Sequence, residues 1–149
     1  MAYEELGPDA VEWMGVAFRT ILTSEATGGA MSIVDSVAPV DFSPPRHVHE
    51  REDECFVILS GECEFWLEGE TFRRGPGETA FVPRGKEHSF RVVGDAPCRH
   101  MVILTPGGFE AFFAAMAANG YTMPDDMEAV NAAAAQHHLA FTGPPLGTH

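Results

Sequence analysis

The sequence has few cysteines and few basic residues, and it contains no long apolar run. Its three cysteines, Cys55, Cys63 and Cys98, are odd in number and widely spaced among 149 residues. This spacing fits neither a disulfide framework nor a Cys-x-x-Cys metal knuckle, and it favours reduced thiols in a cytoplasmic protein. No apolar stretch reaches the roughly 20 residues of a membrane-spanning helix, and the acidic start lacks a signal-peptide core. We therefore expect a cytoplasmic protein without a membrane partner.

Basic residues are outnumbered by acidic ones. Nine Lys and Arg oppose 22 Asp and Glu, which gives a formal net charge of -13. A surface of this charge repels phosphate backbones, so we expect no nucleic-acid partner. Hydrophobic residues make up 45% of the chain, which is typical of a folded domain with a core. We expect one domain over residues 1–149, with a barrel core at about 11–105, a helical tail at about 107–149 and a loose or docking arm at 1–10.

Short apolar segments separated by glycine and proline dominate the first two thirds of the chain. They predict one or two strands at 11–23 and further strands at 31–37, 54–59, 62–67, 71–74, 79–82, 88–93 and 99–104. Many short strands at close spacing predict an all-β sandwich or jelly-roll barrel.

The periodicity changes after Pro106-Gly107-Gly108. Apolar side chains then recur at helical spacing, at Phe109, Phe112, Phe113 and Met116. They predict a helix whose apolar face covers the outer wall of the barrel. A second helix is predicted at about 124–139, and Gly143-Pro144-Pro145 is expected to end regular structure.

Three histidines and one glutamate form the strongest candidate site. His47 and His49 are two residues apart, so on a strand both project from the same face. Glu54 lies on the next strand, and His88 follows a Pro-x-Gly turn. A lone His-x-His is weak support, but this donor set suits one divalent ion of Fe, Ni, Mn, Co, Cu or Zn with a position left open. We expect no role in the site for the remaining histidines, His100, His137, His138 and His149.

These residues match two motifs of a known superfamily. The first is G-x5-H-x-H-x(3,4)-E-x6-G, and the second is G-x5-P-x-G-x2-H-x3-N. The matching residues are His47, His49, Glu54 and Gly61 in the first motif, and Gly77, Pro83, Gly85 and His88 in the second. Asp41 and Val92 depart from the first glycine and the last asparagine, and neither position holds a metal ligand in the family. The chain thus resembles the cupins, which implies a double-stranded β-helix, a jelly-roll barrel, with a metal site.

A narrower resemblance extends over much of the chain from Ala38 onward. The segments at 46–49, 81–85, 105–110 and 143–146 resemble bacterial quercetin-dioxygenase-like monocupins. The resemblance implies that the three histidines and Glu54 bind one divalent metal, and that a flavonol or related enol binds beside it. It also implies that Glu54 is a candidate catalytic base as well as a candidate ligand. Cupins commonly pair, and jelly rolls leave strand edges that need covering, so we expect a homodimer, with the N-terminal strands as candidates for exchange between subunits.

Strand alternation predicts the substrate pocket. If Glu54 and His88 point inward, the neighbours two and four positions further on point inward with them. The predicted lining is Phe56, Ile58, Phe90 and Val92, with Phe65, Phe81, Met101 and Ile103 as additions. Such an apolar pocket suits a flat aromatic small molecule. The alternative is that these side chains simply fill the barrel.

Three functions remain open at this point. The first is a metal-dependent dioxygenase that uses O2 and acts on an enolic or phenolic small molecule. The second is a metal-dependent isomerase, cyclase or lyase in which the ion is a Lewis acid and Glu54 the base. The third is a non-catalytic module that binds a small ligand.

Overall fold

The computed structural model describes residues 6–147. The first half of the expected N-terminal arm and His149 lie outside these residues. Within them, the strands form two antiparallel sheets that face each other as a jelly-roll barrel, which confirms the predicted fold class. The six-stranded sheet has the order β1 (Val11–Trp13), β2 (Val16–Leu22), β3 (Ser32–Ala38), β10 (Cys98–Thr105), β5 (Asp53–Ser60) and β8 (Thr79–Val82). The five-stranded sheet has the order β11 (Leu139–Pro145), β4 (Pro45–His49), β9 (His88–Val93), β6 (Glu62–Leu67) and β7 (Glu70–Arg74).

Aromatic side chains from both sheets meet between them. Phe56 of β5 packs against Phe65 of β6 and Phe90 of β9, with ring centroids 5.1 and 5.5 Å apart. Burial of each such side chain contributes roughly 1.5–3 kcal/mol. Buried and partly exposed residues alternate along the strands because every second side chain faces this core. In β10, for example, Val102 and Leu104 are buried.

The two predicted helices are present, but the first covers a different surface from the one expected. Helix α1 spans Glu110–Asn119 and α2 spans Met127–Gln136. Phe112 and Phe113 of α1 pack against Trp13 and Phe18 of β1 and β2, at ring-centroid distances of 5.7 and 4.4 Å. The apolar face of α1 therefore closes the interior of the barrel, whereas the sequence predicted that it would cover an outer wall.

The end of the chain was also predicted incorrectly. The second helix stops at Gln136, and the chain returns as the strand β11 along β4, with Leu139 opposite His49 and Phe141 opposite His47. The Gly-Pro-Pro segment belongs to this strand, where pairing becomes irregular. Prolines are tolerated there because β11 is the edge strand of its sheet within residues 6–147.

Neither α1 nor α2 is long and apolar enough to cross a bilayer, and the same holds for every helix among residues 6–147.

Candidate metal centre

Both sheets contribute to one cluster of side chains. His47 and His49 come from β4 and His88 from β9, where His47 and His88 are register partners. Glu54 comes from β5 in the facing sheet. One nitrogen or oxygen atom from each of these residues lies within 4.8 Å of the others. The pairing of β4 with β9 thus brings His47 next to His88, and the facing sheet adds Glu54.

The four residues are in close contact. Nε2 of His88 lies 2.9 Å from Oε1 of Glu54, and Nε2 of His49 lies 3.7 Å from Oε2 of the same carboxylate. His49, Glu54 and His88 are 4%, 4% and 1% exposed. A buried group of this kind is stable only if its members satisfy one another or an ion.

Backbone carbonyls orient two of the imidazoles. Nδ1 of His47 lies 2.7 Å from the carbonyl oxygen of Pro45, and Nδ1 of His88 lies 3.0 Å from that of Lys86. Because a carbonyl oxygen only accepts, each Nδ1 must carry the donated proton. This orientation directs Nε2 of both rings toward the cluster, as in ligating histidines. Nε2 of His47 presents its lone pair, whereas Nε2 of His88 donates a proton to Oε1 of Glu54 and must lose that proton before it can bind an ion.

Glu52 is positioned to orient the third imidazole. Its Oε1 lies 3.8 Å from Nδ1 of His49, and neither atom has a hydrogen-bond partner among the described residues. Glu52 is 5% exposed, and burial raises the pKa of its carboxyl to about 7, against the opposing charge of Arg51. At this separation the carboxyl group faces the imidazole without bonding to it. The sequence offered no signal for Glu52, since it lies in an acidic turn that resembles a solvated loop.

Burial and mutual charge set the protonation of the cluster. Burial lowers the pKa of His47 well below its usual value, and repulsion from His88 and His49 acts in the same direction. Burial likewise lowers the pKa of His49. Burial also disfavours the charged form of His88, but the hydrogen bond and charge of Glu54 prevail and raise its pKa. Glu54 shows the reverse balance: burial raises its pKa, and the three imidazoles lower it to about 2.

The donor set fits one divalent transition ion. Three imidazole nitrogens and one carboxylate oxygen converge within ion-binding range, and two of the imidazoles already present Nε2. Nitrogen-rich sites of this kind suit transition metals, whereas Ca²⁺ and Mg²⁺ prefer sites made of oxygen atoms.

A cavity of about 90 Å³ adjoins the cluster, with His47, His49 and Glu54 in its wall. The rest of the wall is mainly aromatic. Its phenylalanines are Phe18, Phe42, Phe56, Phe90, Phe109, Phe112, Phe113 and Phe141. The ring of Phe109 lies 4.5 Å from that of His49, so α1 and the residue before it cover the centre. The sequence had assigned these helix residues to packing alone.

The structure divides the residues of the predicted pocket into those that line the cavity and those that do not. Phe56 and Phe90 line the cavity, whereas Ile58, Phe65 and Val92 are buried in the core away from it. Three further residues face the other side of their strands. These are Phe81, which is 57% exposed, and the half-buried Met101 and Ile103. The register explains this placement.

The pairing of Cys55 shows why Phe81 and Ile103 face outward. Cys55 follows Glu54, so its side chain must face outward when Glu54 faces inward. Phe81 and Ile103 are both register partners of Cys55, and they therefore share its outward face.

Comparison with known proteins agrees with this architecture. A model of the cupin domain family matches residues 34–104, which include all four clustered side chains. This chain carries a cupin domain. The structure of KdgF from Halomonas sp. superposes with a TM-score of 0.63 at 19% identity, and the match covers 70% of this chain and 91% of that one. At this identity the cupin fold is shared and nothing more.

Two curated relatives have defined activities. The cupin is 41% identical over 66 residues to the dimethylsulfoniopropionate lyase DddQ of Ruegeria pomeroyi, a match that covers 44% of this chain and 32% of the lyase. It is 38% identical over 48 residues to the quercetin 2,3-dioxygenase of Bacillus subtilis, which covers 32% of this chain and 14% of that enzyme. The chain spans about a third or less of the length of these relatives.

Proposed function

We propose that this cupin is a metal-dependent enzyme acting on a small, largely apolar molecule. In this proposal His47, His49, Glu54 and His88 hold one divalent ion, which is Fe, Ni, Mn, Co, Cu or Zn. The observation that carries the proposal is a buried three-histidine, one-glutamate cluster that opens onto an apolar cavity. A purely structural ion would not require a cavity beside it.

The activity that we propose to test first is an oxygenase of the quercetin-dioxygenase-like type. The aromatic wall suits an enolic or phenolic ring, and the similarity to the Bacillus subtilis enzyme supports this choice. A metal-dependent lyase or isomerase is the second candidate, supported by the similarity to DddQ over a longer segment.

The size of the cavity favours a smaller substrate than a flavonol. Its volume of about 90 Å³ is well below the roughly 300–1,000 Å³ of pockets that enclose drug-sized ligands. A flavonol would project far through the opening, whereas a single-ring enol or phenol would remain mostly enclosed. We therefore propose a substrate with one ring or a comparably small frame.

The side chains around the cavity have distinct roles in either reaction. Glu54 lies in the cavity wall with its carboxylate ionised, so it can accept a proton from a substrate hydroxyl or carbon acid. The aromatic rings of Phe56, Phe90 and Phe109 exclude water from this proton transfer. When bound, the ion would supply Lewis acidity and, with a redox-active metal, oxidation chemistry.

The experiment combines metal analysis with an assay of turnover. Purified protein is analysed for metal content and then assayed in an oxygen electrode with catechol and 3-hydroxyflavone, and separately with dimethylsulfoniopropionate for lyase products. Oxygen uptake supports the oxygenase, and product formation without oxygen uptake supports the lyase. Ligand binding without turnover supports a non-catalytic module.

Two variants test the roles of the residues. His47→Ala should lose metal together with activity. Glu54→Gln should lose more activity than metal, because glutamine still offers an oxygen but is not a base. The matched control is His138→Ala, since His138 is exposed and bonds to Arg51 away from the cluster. If His47→Ala keeps full metal content, the site assignment is wrong.

A further inference from the structure

Two buried polar side chains line the cavity away from the metal ligands. Ser36 of β3 and His100 of β10 are register partners, and they are 1% and 3% exposed. Both belong to the cavity wall. The hydroxyl oxygen of Ser36 and Nδ1 of His100 have no hydrogen-bond partner within residues 6–147.

Their surroundings do not compensate for this burial. The ring of His100 lies 5.8 Å from that of Phe56 and 5.6 Å from that of Phe90, both apolar. Cys98, on the same face of β10, interacts with His100, but a thiol is a weak hydrogen-bonding group. A buried polar atom without a partner is unfavourable for folding, so its presence requires an explanation such as a ligand or an ordered water.

Ser36 and His100 lie at the opposite end of the cavity from the candidate metal ligands. Glu54 is opposite Leu104 across the β5–β10 pairing, and His100 precedes Leu104 by four residues. At roughly 3.3 Å per residue, the backbone of His100 lies about 13 Å along β10 from that of Leu104, which is level with Glu54. Val102 and Phe56 line the wall between them. The cavity therefore has polar groups at both ends and an apolar middle.

We propose that Ser36 and His100 form a second polar subsite, which hydrogen-bonds a hydroxyl or carbonyl group at the end of the substrate remote from the metal. The inference rests on the proposed function, because it assumes that the other end of the substrate binds at His47, His49, Glu54 and His88. It narrows the substrate class to small molecules with two oxygen-bearing ends joined by an apolar or aromatic frame.

The test uses two probes that differ only at the remote end. Benzohydroxamate and 4-hydroxybenzohydroxamate carry the same metal-binding head, and only the second has a hydroxyl opposite it. Their dissociation constants are measured by calorimetry on the zinc-loaded full chain. We expect the hydroxylated probe to bind about tenfold more tightly, as one or two neutral hydrogen bonds allow.

Variants assign that preference to the subsite. Ser36→Ala and His100→Phe should reduce it to less than about threefold while leaving benzohydroxamate binding unchanged. The matched control is Ser32→Ala, which should keep the preference, because Ser32 is a buried serine on the same face of β3 outside the cavity wall. Thermal melts establish that each variant is folded. Ser36→Ala is the decisive variant if His100→Phe does not fold, since it only removes a hydroxyl.

A second arm separates this inference from the proposed function. The metal-free chain is titrated with 4-methylphenol and with toluene, and the preference for the phenol should again be lost in Ser36→Ala. If zinc and both hydroxamates fail to bind but this arm succeeds, the metal assignment is wrong and the subsite stands. Equal affinity for the members of both probe pairs, or a preference that survives in Ser36→Ala, overturns the subsite.

Discussion

Gly61 joins β5 to β6 in a conformation and a space that only glycine fits. Its φ is +80°, in the left-handed region. A Cβ at this position would overlap the carbonyl oxygen of Pro97 and lie 2.7 Å from Cα of Cys98. Both atoms belong to the backbone that leads into β10, so neither can rotate away. We predict that Gly61→Ala strongly destabilises the fold.

The magnitude follows from two separate costs. Placing a non-glycine residue in the left-handed region costs roughly 1–2 kcal/mol. Forcing the β10 backbone away from an added methyl group costs roughly 1–3 kcal/mol more, as for other overpacked sites. The free energy of unfolding should therefore fall by roughly 2–5 kcal/mol in Gly61→Ala.

Gly69 provides a matched control in the next hairpin. Its φ is +88°, but a Cβ there would meet nothing within 4 Å. Gly69→Ala should therefore lose only the conformational part, roughly 1–2 kcal/mol. Urea denaturation of the wild type and both variants measures the difference. If both substitutions cost the same, the close approach of the Pro97–Cys98 backbone does not constrain this turn.

Three other measurements test separate parts of the molecule. Glu110 accepts hydrogen bonds from the backbone N–H groups of Ser24 and Gly108, and these bonds outweigh burial and lower its pKa. Ionised Glu110 therefore stabilises the fold at pH values above the pKa that its carboxyl has in the unfolded chain. This stabilisation is lost as the pH falls through the lower pKa of the folded protein. Glu110→Gln should flatten the acid limb of urea midpoints measured between about pH 7 and about pH 3, and parallel curves would contradict this. Metal affinity should fall as the pH is lowered through the raised pKa of His88, because a proton on Nε2 competes with the ion. Calorimetry at neutral pH should therefore detect proton release on metal binding, and its absence would contradict this prediction. Homodimerisation stays a prediction, and a monomer mass in light scattering at micromolar concentration would refute it.

Local patterns in the sequence predicted most of the strands and part of the candidate metal centre. Turn residues between short apolar segments predicted the strands, because glycine and proline limit where extended chain can continue. The two-residue spacing of His47 and His49 predicted a shared face for the same reason that strands alternate. The further inclusion of Glu54 and His88 came from motif spacing and resemblance, and the structure brings all four together.

The inward face of β10, the strand β11 and the surface covered by α1 depended on contacts between distant segments, which local patterns did not predict. Apolar residues occur on both faces of β10, so its sequence alone does not reveal that Val102 faces the cavity and Met101 does not. The β11 strand forms through its pairing with β4, and its Gly-Pro-Pro end argues against a strand when read in isolation. Helical spacing identified the apolar face of α1 but not the surface that this face covers.

The sequence by itself determined the types of most elements, most turn positions and the candidate donor residues, because these depend on backbone preference and short-range spacing. Only the tertiary structure decided that α1 closes the cavity, that Glu52 stands behind His49, and that Ser36 and His100 share a buried wall. Each of these depends on contacts between segments far apart in the chain. Such contacts are set by strand register and sheet packing, and register is fixed only when the strands pair around a shared buried face.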